Sequence, residues 1–353
     1  MKQRKNYAAI DNFRLVAALL IVAIHTGPLE SFHSTADFLV TYCVGRIAVP
    51  FFLMVTGFFV LAPYQKSMGR SSYQAEKAAG KLWKFLKKTA LLYGAAILLY
   101  LPVMIYAKQW NNSPGEWLKE LFFDGTFYHL WYLPAVLTGC ILLAGLLSVC
   151  NPPVISLTVL VLYIIGTGGD SYYGLLSQAL PVKIFYEGIF TVSSYTRNGI
   201  FFAPMFLWMG VIIANGKIRM SGQTALTGFL ISMAGMMGEG LLSFSLEWQK
   251  HNSMYLLLPV VMFFLFELLF SAEGTFTIPM VRDVSMCVYI IHPICIILVR
   301  GLAGVLKLTD IFVEQSLIHY LTVCALSLVL SVGIALGMQA FRNRADAAPG
   351  YFR

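Results

Sequence analysis

The chain has 353 residues, 58% hydrophobic and 12% charged, with a mean hydropathy of +0.73 and a formal net charge of +8. That composition excludes an ordinary soluble globular domain and describes a polytopic membrane protein. The basic residues flank apolar stretches, so the expected partner is the lipid bilayer with its anionic headgroups, and nucleic acid is not expected.

A bilayer core takes about 20 apolar residues per helix. Stretches of that kind fall at 8–27, 38–61, 87–107, 130–149, 153–167, 199–215, 224–245, 254–271, 285–306 and 315–341. The expected fold is therefore all-α, a single transmembrane domain over 1–341 with about ten helices. Cytoplasmic loops carry the excess of Lys and Arg. With the N-terminus inside, sixteen such residues fall on inner segments and seven on outer ones, which predicts both termini in the cytoplasm.

The first apolar segment contains Asp11, Asn12 and Arg14 and no small-residue cleavage site, so it reads as a retained span rather than a signal peptide. Arg14 and His25 stand eleven positions apart in it. Eleven steps of about 100° bring the two side chains to within about 20° of one helical face, roughly 16 Å apart along the axis. Ionisable groups at membrane depth are costly and mark a site or a pathway. Histidine is the side chain suited to proton transfer near neutral pH. Arginine cannot act as a base but binds carboxylate, phosphate or a polarised carbonyl. The pair predicts two roles at two depths.

The second segment carries Arg46 four residues before Pro50, a kink-forming residue, and Gly57, which permits close approach of another backbone. Arg46 in a span needs an anionic partner or a wet cavity. The stretch 62–86, with Lys66, Lys77, Lys81 and Lys84 among Tyr64, Tyr73 and Trp83, reads as an amphipathic helix on the inner surface. Lys87 and Lys88 continue its charge. Two longer outer loops, 108–129 with Trp110, Trp117, Glu116, Glu120 and Asp124, and 168–198 with Asp170, Glu187 and Arg197, are where an acceptor substrate is expected.

His129-Leu-Trp131-Tyr-Leu-Pro134 stands at the mouth of the fourth helix, where aromatic residues at the interface are expected in any case. Glu239 and Glu267 are intramembrane acids, candidate countercharges for Arg14 or Arg46. Ser285-Met-Cys-Val-Tyr289-Ile-Ile-His292-Pro293 puts a histidine inside a span. The six cysteines contain no CxxC pair and read as small packing residues rather than a disulfide framework or metal site. No GxSxG elbow, P-loop, dinucleotide fingerprint or HExxH occurs. The polar segment 342–353 reads as a cytoplasmic tail, with the character of a linker to a further domain.

Taken in order, Arg14-x10-His25, Val49-Pro-Phe-Phe with Thr56-Gly-Phe, His129-Leu-Trp-Tyr-Leu and Ser285…Tyr289…His292 resemble the signature of the acyltransferase-3 family of integral membrane proteins. The resemblance covers essentially the whole chain. It implies an acyltransferase with acetyl-CoA or another acyl-CoA as donor, not tightly bound, and a hydroxyl or amine acceptor. It makes His25 and Arg14 the catalytic pair and His129, Trp131, Tyr289 and His292 candidate binding residues, to which Arg46, Arg197 and Glu239 are added as charged groups in or beside the spans. Where family members often carry Arg-x-x-Arg, this chain has Lys81, Lys84, Lys87 and Lys88, which meet phosphate without bidentate geometry.

More narrowly, the chain is similar to the membrane region of VanT-type vancomycin-resistance serine racemases, in which such a region is joined to a cytosolic pyridoxal-phosphate domain. No racemase site is visible in these residues. That likeness implies a bacterial-type plasma membrane and leaves room for a homodimer. It also sets a second reading, an L-serine permease feeding a fused racemase, beside the acyltransferase.

Overall fold

A computed structural model describes residues 7–68, 71–108, 113–216, 219–272 and 276–347. Trp110 lies outside the described residues, as do Lys2, Arg4, Lys5, Arg70, Lys217 and Arg353, six of the sixteen basic residues counted on the inner side. Among those that are described there are helices and turns and no strand. Each apolar stretch expected from the sequence contains a helix.

The principal helices are α1 (Ala8–Thr26), α2 (Ser34–Ser67), α3 (Ser72–Tyr106), α4 (Tyr132–Val149), α5 (Pro152–Gly168), α6 (Ala203–Ala214), α7 (Gly222–Ser245), α8 (Leu258–Ser271), α9 (Val281–Leu306) and α10 (Ser316–Ala347). Seven of them are long and apolar enough to cross a membrane, whereas α5, α6 and α8 are shorter apolar helices. The chain divides into two compact units, one of residues 1–48 with 269–353 and one of 49–268.

In the first unit α1, α9 and α10 pack around Ala18, Val22, Val288, Cys295, Val323, Cys324 and Ala335. Burying leucine against a helix gains little when the alternative is lipid, so such contacts rest on close approach and interhelical polar groups. The fully buried Ala17 and Ala18 of α1 and the small, buried Ser327 and Ser331 of α10 allow the close approach. Arg342 donates to both carboxylate oxygens of Asp283 at 3.1 and 3.2 Å and ties the end of α10 to the start of α9. The segment expected as a tail from 342 onward is therefore helical as far as Ala347.

In the second unit α2 and α6 meet backbone to backbone. A Cβ at Gly57 would run into the Leu207 carbonyl, and one at Gly210 into the Met54 carbonyl. Each glycine accommodates the other helix. The Lys-rich stretch 72–86 is not a separate surface helix: it is the first half of α3, 35 continuous residues with Pro102 inside the helix. Lys, Ala, Leu and Gln are good helix formers, and a single Gly80 does not stop propagation.

Candidate functional site

The first unit holds the histidine end of α1. The helix stops at Gly27, whose φ of 57° suits glycine, and its N–H returns to the Ala23 carbonyl. The chain reverses there and is held by Asp37, which accepts from the Leu29 N–H at 2.8 Å and the Thr41 hydroxyl at 3.2 Å. Ser316, at the start of α10, donates to the Pro28 carbonyl at 3.0 Å, and the Ser31 hydroxyl accepts its N–H at 3.1 Å. Two segments 285 residues apart thus close one rim. Beneath it is a cavity of about 430 Å³ lined by His25, Glu30, Asp37, Arg300, Glu314 and His319, with Thr41 and Ser316 between them.

His25 stacks on His292, ring centroids 5.2 Å apart and planes inclined by 23°. The sequence explains the second ring's orientation. Pro293 has no N–H, so the Tyr289 carbonyl four positions earlier loses its helical donor. The Nδ1 of His292 lies 2.9 Å from that carbonyl and 3.1 Å from the Val288 carbonyl. Carbonyls only accept, so Nδ1 carries the hydrogen, and a His-Pro pair inside a helix fixes the ring that faces His25. Tyr289 serves here through its backbone, and its side chain is buried.

At the other end of α1, Asp11 stands between two guanidiniums. Arg282 donates to it in bidentate fashion, Nε at 3.0 Å and Nη2 at 2.7 Å, and Arg14 Nε lies 3.1 Å from Oδ1. The neighbouring Asn12 donates to the Phe276 carbonyl and accepts the Ile278 N–H. Asp11 therefore binds α1 to the first turn of α9 and Asn12 binds it to the segment before, and the three charged groups carry a net single positive charge. Arg46 is buried, its guanidinium 5.0 Å from the centre of the Tyr42 ring.

The second unit holds the remaining residues expected at the site. His129 is buried among Tyr100, Phe127 and Tyr128, with ring centroids 4.9 to 5.7 Å away. Arg197 lies 5.0 Å from the Trp131 ring and 4.6 Å from that of Tyr195. Lys81, Lys84, Lys87 and Lys88 are exposed along α3, with Lys87 5.3 Å from the Trp83 ring. Lys87 and Trp83 edge an apolar groove of about 400 Å³ that continues past Tyr93, Phe122 and Pro134.

The intramembrane acids have partners other than those expected. Glu267 pairs with Arg219 at 2.9 Å. Glu239 accepts from the Tyr172 hydroxyl at 2.7 Å and from the backbone N–H groups of Leu256 and Leu257 at 2.5 and 3.0 Å. It holds the turn that leads into α8, and burial followed by its hydrogen bond and charge pushes the Tyr172 hydroxyl pKa up. The loop acids are similarly engaged. Asp170 accepts from the N–H groups of Ser253 and Met254, and Asp124 from the Ser194 N–H. These carboxylates hold loop backbone in place.

Arg282, Asp37, Arg300 and His319 were not singled out from the sequence. Each is an ordinary residue locally and gains its place from contacts across the chain. Asp11, three positions before Arg14, was a visible signal that the arginine has a local partner.

A helical membrane protein with a paired-histidine cavity at one end of its first helix is the class these features define. Residues 7–336 match the model of the acyltransferase-3 family, described as "Acyltransferase domain", and the chain belongs to that family. It is 39% identical to an "Amino-acid racemase" of Enterococcus faecalis over 98% of this chain and 47% of the relative. It is 36% identical to a "Serine/alanine racemase" of Enterococcus gallinarum over 92% of this chain and 45% of the relative. The chain thus spans about half the length of these relatives. No solved structure matches it.

Proposed function

We propose that the chain transfers an acyl group, acetyl from acetyl-CoA in the simplest case, to a hydroxyl or amine held in the cavity beside His25. The observation that carries this reading is the stacking of His25 on His292 at the wall of a polar cavity, in a member of an acyltransferase family. His25 takes the proton from the acceptor as its oxygen or nitrogen bonds to the acyl carbon, the carbon–sulfur bond breaks, and the departing thiolate recovers a proton. His292 positions the His25 ring. Arg14 and Arg282, with one positive charge beyond Asp11, suit the anionic part of the donor. The exposed lysines of α3 add positive charge that attracts phosphates or anionic headgroups. The membrane is a bacterial-type plasma membrane.

A second reading, an L-serine permease, is favoured by one observation: both relatives above are named racemases, and this chain matches about half of each. Proteoliposomes separate the two. Labelled acetyl-CoA tests for transfer, and labelled L-serine without acyl-CoA tests for uptake. Acetyl transfer that needs His25, without saturable serine uptake, supports the first reading; saturable uptake without transfer overturns it.

A further inference from the structure

His319 is 2% exposed and lines the His25 cavity. Its Nδ1 lies 2.8 Å from the Phe312 carbonyl, an atom that only accepts, so Nδ1 carries the hydrogen of the neutral ring. Nε2 is then a lone-pair acceptor, and it is buried with no hydrogen-bond partner. A buried acceptor of that kind calls for a donor. The walls around it favour one sort of donor. Asp37 is 4% exposed, and each of its oxygens accepts a single hydrogen bond from the protein, which leaves lone pairs available. Glu30 and Glu314 stand at the exposed side, opposed by one cation, Arg300. Three carboxylates against one guanidinium make the cavity anionic.

We infer that the cavity binds a small primary amine as its ammonium, with His319 Nε2 accepting one N–H and Asp37 a second. An ammonium supplies three donors and no acceptor, which is the complement of these two groups. A neutral alcohol of the same size satisfies Nε2 but leaves the carboxylates without a countercharge. A small anion meets them with like charge. The inference rests on the acyl-transfer reading only in naming this amine as the acceptor, which first gives up one ammonium proton to solvent to expose the nitrogen lone pair, His25 then taking the second.

Binding is measured without any thioester, so a failure of binding and a failure of transfer are read separately. The full chain in nanodiscs is titrated by calorimetry with ethanolamine, ethylene glycol and glycolate, three probes of similar size and different charge. Ethanolamine should bind at least about tenfold more tightly than the other two, since hydrogen bonds to charged groups are the stronger ones. His319→Phe and Asp37→Asn should each lose about tenfold in ethanolamine affinity. His319→Gln, which keeps an acceptor near the Nε2 position, should retain most of it. The Glu30→Gln, Glu314→Gln double variant alters exposed residues, is expected to fold normally, and should weaken ethanolamine alone. Equal affinity for ethylene glycol or glycolate overturns the inference, as does absence of ethanolamine binding or wild-type affinity in the double variant.

Discussion

Asp11→Asn is the sharpest probe of how the first unit is held together. The substitution keeps the size of the side chain and removes the charge between Arg14 and Arg282, leaving two guanidiniums facing each other. Removing one partner of a fully buried pair costs about 3–5 kcal/mol. Asp11 is only 8% exposed, but the Arg282 side chain is 66% exposed and its charge can be taken up by solvent or headgroups. The expected cost is therefore smaller, about 1–2 kcal/mol. For a chain of 353 residues, in which 1 kcal/mol shifts Tm by about 1–2 °C, that is a fall in Tm of about 1–4 °C. Thermal unfolding in nanodiscs, followed by tryptophan fluorescence, measures it. A double-mutant cycle with Arg282→Gln isolates the pair: if Asp11 acts through that bidentate contact, the second substitution costs little after the first. An unchanged Tm for Asp11→Asn, or fully additive losses, would refute the clamp.

Other outcomes follow from particular contacts. Gly57→Ala forces α2 and α6 apart at the Leu207 carbonyl and should destabilise by about 1–3 kcal/mol, read as lost detergent stability. Pro293→Ala restores a donor for the Tyr289 carbonyl and competes with His292 Nδ1; the protein should fold, and histidine NMR should show a changed His292 tautomer population. An unchanged spectrum would mean that the proline does not set the ring. Glu239→Gln exchanges a charged acceptor for a weaker one at the turn before α8, so amide exchange at Leu256 and Leu257 should quicken several-fold.

Much of the architecture is legible in the sequence because hydropathy alone marks where helices lie. Their lengths are less so: Pro152 at the start of α5 and the turn that begins at Asn215 bound helices shorter than the other apolar ones, and α3 runs on through residues that suggested a surface helix. Within the site, Arg14, His25 and His292 stand out because each is polar in an apolar segment. That His25 meets His292 depends on α1 packing against α9, more than 260 residues away, and no local pattern encodes it. His319 and Asp37 escape notice for the same reason. Glu239 and Glu267 were noticed as costly acids, but the groups that satisfy them, backbone N–H donors and Arg219, are visible only in the fold.

The central claim is that His25 moves a proton during acyl transfer. Single-turnover reaction of the purified protein with labelled acetyl-CoA and an amine or hydroxyl acceptor tests it most directly. The account predicts acetylated acceptor from the wild-type protein and a rate reduced by about 10²–10⁴-fold in His25→Ala, with acetyl-CoA binding retained. Absence of acetylated product from the wild-type protein, or an equal rate in His25→Ala, would contradict it.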